Sequence, residues 1–170
     1  MKKIISIIMI ALLLVGCNEN ITNDAAEQDK YFSYYQSILD AESLQTESKY
    51  FDIEATMNIE EDNYRYSVII DNPQIAMYNV EVMSIIDDGS LSINKKYAMP
   101  TTGVIDQPYN LVPYQVNLAN FYAEGLVLDG LVDFPNVDLL VLVVWHNRDF
   151  TITYREYFDL SANYSSIDSE

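Results

Sequence analysis

The chain of 170 residues is poor in the side chains on which most enzyme chemistry depends. It holds one cysteine (Cys17), one histidine (His146) and one tryptophan (Trp145). A hydroxyl or thiol nucleophile needs a base within hydrogen-bond reach, and a single imidazole between Trp145 and a turn reads instead as a structural or surface group. One histidine with one cysteine excludes the common zinc spacings. Five glycines leave little room for a phosphate-cradling loop, and no such motif occurs. The densest acidic turns, Glu60-Glu61-Asp62 and Asp87-Asp88, lack the spacing of an EF-hand and read as solvated. A carboxylate pair for glycoside hydrolysis leaves no sequence signature, but the small size and missing cleft-building insertions speak against it. The expectation is a non-catalytic protein with no cofactor and no metal site.

Basic residues are also scarce. Nine Lys and Arg face 26 Asp and Glu, a formal net charge of −17. Such a surface repels phosphate backbones and anionic lipid headgroups, so no nucleic-acid partner is expected. A basic or cationic partner, or a divalent ion, is electrostatically compatible.

Apolar residues are concentrated at the start. After Lys2 and Lys3, residues 4–16 form a 13-residue run without charge, with Ser6 as its one polar side chain. A helix of that length rises about 20 Å, against a hydrocarbon thickness of roughly 30 Å. It suits a secretion signal but is short for a span. The run ends in Leu14-Val15-Gly16-Cys17, which resembles the lipobox of bacterial lipoproteins. The resemblance implies a diacylglyceryl group on the Cys17 sulfur, recognition of Leu14, Val15 and Gly16 by signal peptidase II, and cleavage before Cys17. It also implies an N-acyl chain on the new amino terminus, membrane attachment through these chains, and an extracytoplasmic location. An ordinary cleaved signal and an uncleaved anchor are the competing readings. A lone exported cysteine has no intramolecular partner, which favours lipid attachment. Two acyl chains, at about 0.8 kcal/mol per buried methylene, anchor durably. Abundant Ile, Asn and Tyr with few Gly and Pro resembles a low-GC Gram-positive host, where the anchor faces outward from the cytoplasmic membrane.

With the signal removed, seven basic residues remain against 26 acidic, a formal charge of −19. No cysteine follows Cys17, so the domain must be stable without disulfides. Residues 17–30 read as a lipidated polar tether. In the 31–48 segment, Tyr31, Tyr34, Tyr35, Ile38 and Leu39 recur at helical spacing, predicting a short amphipathic helix with Asp29 at its start, followed by a linker.

From residue 49 to 160 the period is two. Phe51, Ile53, Ala55, Met57 and Ile59 alternate with polar residues, a tight acidic turn follows, and Tyr64, Tyr66, Val68 and Ile70 resume, which predicts an antiparallel hairpin. A third strand over 76–86 keeps phase through Val82 and loses it at 83–86, which suggests a bulge there. Asp88-Gly89 predicts a turn, and residues 91–97, with Lys95 and Lys96, predict an edge strand. Residues 100–113 hold three prolines and read as a long connection. A strand is expected over 120–131, interrupted by Gly125 and Gly130. Residues 139–145 (LLVLVVW) contain no polar side chain and predict a central strand covered on both faces, paired through Asn147-Arg148-Asp149 with the strand that follows. Residues 161–170 read as a polar tail.

About seven strands with regular turns predict a mainly β fold: an antiparallel β-sandwich of immunoglobulin-like character, with a small closed β-barrel as the alternative. The functional expectation is an anchored lipoprotein whose sandwich binds a protein, peptide or glycan, or supports an envelope complex. The alternative is a carrier of a small apolar ligand.

Overall fold

The computed structural model describes residues 20–87 and 99–165. One helix, α1 (Asn20–Leu39), precedes eight strands among these residues: β1 (Asp52–Glu60), β2 (Asn63–Asp71), β3 (Met77–Ile86), β4 (Thr101–Thr102), β5 (Tyr109–Leu111), β6 (Leu126–Val132), β7 (Asn136–His146) and β8 (Thr153–Asn163). The fold is mainly β, in two antiparallel sheets. One has the order β1-β2-β6, the other β4-β3-β7-β8, with β5 also pairing β3. Both are open, which overturns the closed barrel: within the sheets β1, β6 and β8 each pair with a single strand, whereas a barrel leaves no edge.

Both predicted hairpins form. The first joins Glu60 to Asn63 across a two-residue turn and runs in register to Asp52 opposite Asp71. The second, β7 with β8, is closed by Asn147. Its Oδ1 accepts from the backbone amides of Thr151 (2.9 Å) and Ile152 (3.0 Å), and its own amide donates to the Ile152 carbonyl (3.1 Å). Strand β6 then returns to β2, and β7 to β3, so each sheet is completed by residues some 60 positions away along the chain.

The alternation of β7 explains the layering. Val137, Leu139, Val141, Val143 and Trp145 point into a core shared with Phe51, Tyr66, Val68 and Ile70 of the first sheet. Leu140, Leu142 and Val144 point the other way, into a second core completed by Tyr31, Tyr34, Tyr35 and Ile38 of α1. The stack is therefore three layers deep: helix, four-strand path, three-strand sheet. The expected central strand is present, and its lack of polar residues follows from having no wet face.

The same covering corrects the reading of β3. The phase loss at 83–86 is not a bulge, because Met83 and Ile85 pack under the helix while Ile86 packs on the shared core. The irregularity lies earlier, between Tyr78 and Glu81, where Asn79 adopts φ +53°. Asparagine tolerates that left-handed backbone, and its amide donates to Asn110 Oδ1 (2.9 Å).

Other boundaries shift as well. The helix reaches back to Asn20, so Asp29 lies inside it rather than capping it, and most of the expected tether is helical. Ala25, Ala26, Glu27 and Gln28 are strong helix formers that extend a turn already docked at Tyr31. Residues 120–125 are not strand; β6 starts at Leu126 and carries Gly130 in its middle, directly under the Tyr66 ring. A Cβ there would run into that ring, so the glycine makes room for the aromatic that covers it. Burial pushes the Tyr66 phenol up to about 12, so it stays uncharged. Strand β8 continues to Asn163, taking in the first residues of the expected tail. The turn at Asp88-Gly89, the strand over 91–97 and residues 166–170 lie outside the described residues.

Val143 is fully buried at the centre of the shared core. Val143→Asp is expected to lower unfolding free energy by roughly 3–5 kcal/mol, because a buried carboxylate there has no partner. A urea titration of the variant checks this, with an unchanged midpoint the contrary result.

Candidate functional site

The residues assigned from sequence, Cys17 with Leu14, Val15 and Gly16, lie outside the described residues. His146 ends β7, where its Nδ1 and Thr153 Oγ1 share a hydrogen bond (3.1 Å) and Phe150 lies 5.3 Å away ring to ring. Both partners belong to the end of the β7–β8 hairpin, which the contact helps to hold. In the acidic turn after β1, Glu60 is held by Arg65, with Arg65 Nη2 donating to Glu60 Oε1 at 2.8 Å. This ion pair draws the Glu60 carboxyl below its ordinary range. Among the described residues no group of three or more His, Cys, Asp or Glu is placed to hold a metal ion.

Two features stand out that the sequence reading did not single out. The first is Glu81, the one buried charged residue among those described. It lies on the helix-covered face of β3. Lys30 Nζ donates to its Oε1 (2.9 Å) and to the Gly103 carbonyl (3.3 Å), Asn79 Nδ2 donates to Oε1 (3.2 Å), and the Tyr34 hydroxyl donates to Oε2. Burial, reinforced by the Glu81 carboxylate, lifts the Tyr34 phenol well above its usual range, so it remains a donor and cannot serve as a base. Arg155 lies 5.7 Å over the same ring. With every ligand of Glu81 coming from the fold itself, this node fastens α1 to the sheet. Further along α1, Ser37 and Tyr157 hydroxyls share a hydrogen bond (2.7 Å), and Tyr31 Oη both donates to and accepts from the Met99 backbone. The expected phase of Val80 and Val82 would turn Glu81 to water. The available signal was the double-sided apolar run just after it, which requires a cover on that face.

The second feature is the connection from β5 to β6. Asn117 and Tyr122 exchange backbone hydrogen bonds (2.8 and 3.0 Å), and Asn110 is tied to Phe121 and Ala123 (2.7 and 3.0 Å). A short 3-10 turn, Leu118–Asn120, sits at the tip. Although anchored, the loop turns Tyr114, Val116, Leu118 and Phe121 to solvent, and Tyr114 is wholly exposed. Tyr114 and Phe121 both hold left-handed backbone (φ +63° and +57°), a conformation costing bulky residues about 1 kcal/mol each. Beside the loop opens a cleft of about 430 Å³, whose walls include Asp71, Pro73, Gln74, Tyr114 and Glu124. Four apolar side chains within eight positions, fixed in place and rimmed by carboxylates, make a candidate recognition surface.

No protein-family model, curated protein or solved structure matches the chain. Among the described residues no helix is long and apolar enough to cross a membrane.

Removing the Glu81 carboxylate leaves Tyr34 without its acceptor and Lys30 with the Gly103 carbonyl but no counter-charge. Glu81→Ala is expected to cost about 2 kcal/mol and to raise hydrogen exchange selectively in residues 31–39, with Glu81→Gln intermediate because it keeps one acceptor. Uniform exchange across both sheets, with the helix no more affected than β1, would be the contrary result.

Proposed function

We infer that this protein is an extracytoplasmic lipoprotein, anchored through acyl chains on Cys17, whose β domain recognises a protein or peptide partner without catalysis. The anchor rests on the lipobox and the charge-free run before it. The binding role is supported chiefly by the β5–β6 loop, where a tied backbone holds Tyr114, Val116, Leu118 and Phe121 in water at a conformational cost. Strain kept at a surface loop is the usual mark of recognition rather than of stability. The carboxylates Asp71 and Glu124 beside it suit a partner that sets basic residues around an apolar side chain.

The domain is best read as a β-sandwich of immunoglobulin-like character. Its strand order supports this: β1-β2-β6 corresponds to A-B-E of that fold and β3-β7-β8 to C-F-G. The D strand has no counterpart among the described residues, and the buried tryptophan sits on β7 rather than on the third strand. The carrier reading is disfavoured because the space between the sheets is filled by Phe51, Tyr66, Phe158, Trp145 and their neighbours. A glycan partner or an envelope complex would use the same exposed aromatics.

Metabolic labelling with a palmitate analogue tests the anchor: wild type takes up the label and is processed, and Cys17→Ala stays unlabelled with its signal uncleaved. Labelling of the variant to the level of wild type would refute lipid attachment at Cys17. For the binding surface, the double variant Tyr114→Ser/Leu118→Ser is expected to unfold within about 0.5 kcal/mol of wild type, as surface changes do. In cells, it should lose the discrete adduct that a photo-crosslinker at position 116 forms with wild type. An adduct unaffected by the double variant would place recognition elsewhere.

A further inference from the structure

Strand β8 breaks its own pattern at one position. Tyr154, Phe158, Leu160 and Ala162 alternate onto the shared core, and Glu156 stands in the same row, directly opposite the fully buried Val143. A carboxylate there interrupts a face that is otherwise apolar. Its Oε2 is buried and has no hydrogen-bond partner among the described residues. Glu81, by contrast, gathers three donors. A buried carboxylate oxygen without a donor is costly, and since Oε2 is itself shielded, a partner from outside the chain would meet the Glu156 carboxylate through its charge, from the cleft that the residue lines.

The surroundings indicate what that partner is. The segment from Gln45 to Tyr50 lies along the outer edge of β8 and is pinned at both ends. Gln45 donates to the Tyr157 carbonyl (2.8 Å) and accepts from the Asp159 amide (2.9 Å), while the Tyr50 carbonyl accepts from the Gln74 amide (2.7 Å). Between this strap and the strand is an open cleft of about 690 Å³, lined by Gln45, Glu47, Ser48, Lys49, Tyr50 and Glu156. Tyr50 is backed by Trp145 and Tyr154, at 5.6 and 6.2 Å between ring centres. The ammonium of the exposed Lys49 lies 4.7 Å from the Tyr50 ring centre, within cation–π range. An alkylammonium group already rests on that face, supplied by the chain itself, and it forms no ion pair with Glu156 among the described residues.

We propose that this cleft binds an organic ammonium ion, with Glu156 as counter-ion and Tyr50 as aromatic wall. A hard metal cation is a poorer fit, since the cleft offers only two carboxylates and one wall is an aromatic face. The formal charge of −17 raises the local concentration of any cation and does not choose among them. The choice comes from the Tyr50 ring.

The test uses full-length protein in maltoside micelles and two probes, tetramethylammonium and n-butylammonium, followed by ligand-observed NMR and by fluorescence of Trp145, the only tryptophan. Saturable binding is expected, weakened at least tenfold by Glu156→Gln and also by Tyr50→Leu, with sodium and calcium at matched ionic strength failing to displace the probes. Glu156→Leu, which restores the apolar row, is expected to raise the unfolding midpoint, since it removes an uncompensated carboxylate. The proposal is overturned by absence of saturable binding to wild type, by binding that survives Glu156→Gln, or by equal displacement with calcium. A lowered midpoint for Glu156→Leu would make the carboxylate a structural group and overturn it too.

Discussion

Strand β7 is covered on both faces and bonded on both edges, and the rest of the molecule is arranged to make that possible. From Leu139 to Trp145 every side chain is buried. Odd positions need the three-strand sheet above them, even positions need α1 below, and the backbone needs β3 and β8 alongside. A domain with no disulfide has to draw its stability from burial of this kind, at about 1.5–3 kcal/mol for each large apolar side chain taken out of water. Withdrawing any one layer would expose a whole row of β7 at once, so the layers stand or fall together.

Against that dry background the two inward carboxylates of the second sheet are informative because they are treated in opposite ways. Glu81 on β3 is met by an ammonium, a phenol and an amide from the fold, and it serves as the polar rivet under the helix. Glu156 on β8 faces a solvent-open cleft and keeps one oxygen unpaired. The contrast separates a carboxylate that the fold uses from one that the fold merely holds. The β5–β6 loop adds a third departure from the pattern, apolar residues held outward instead of polar residues held inward.

Much of this was legible from the sequence because strands with one wet face announce themselves. The alternation in β1 and β2 and the unbroken run in β7 gave both hairpins and the central strand. What escaped has a common cause: period-two reading assumes that polar residues face water. Glu81 and Glu156 do not, and neither stood out in the sequence. The polar composition of residues 20–30 likewise suggested a loose tether, although Ala25, Ala26, Glu27 and Gln28 favour helix once a docked turn adjoins them. Short strands such as β4 and β5 carry too few residues to show a period, and β6 was blurred by Gly130, whose role depends on a ring from another strand.

The position of α1 has a consequence for the order in which the chain can fold. The helix is among the first parts to be made, yet the surface that receives it is built from β3, β7 and β8, and its Ser37 meets Tyr157, 120 residues further on. Until β7 and β8 have emerged and paired, Tyr31, Tyr34, Tyr35 and Ile38 have no place to pack. Contacts so distant along the chain slow the search for the native state. The aromatic stripe of the helix is thus left uncovered until late in synthesis, and the last hairpin to arrive is the one that closes it off.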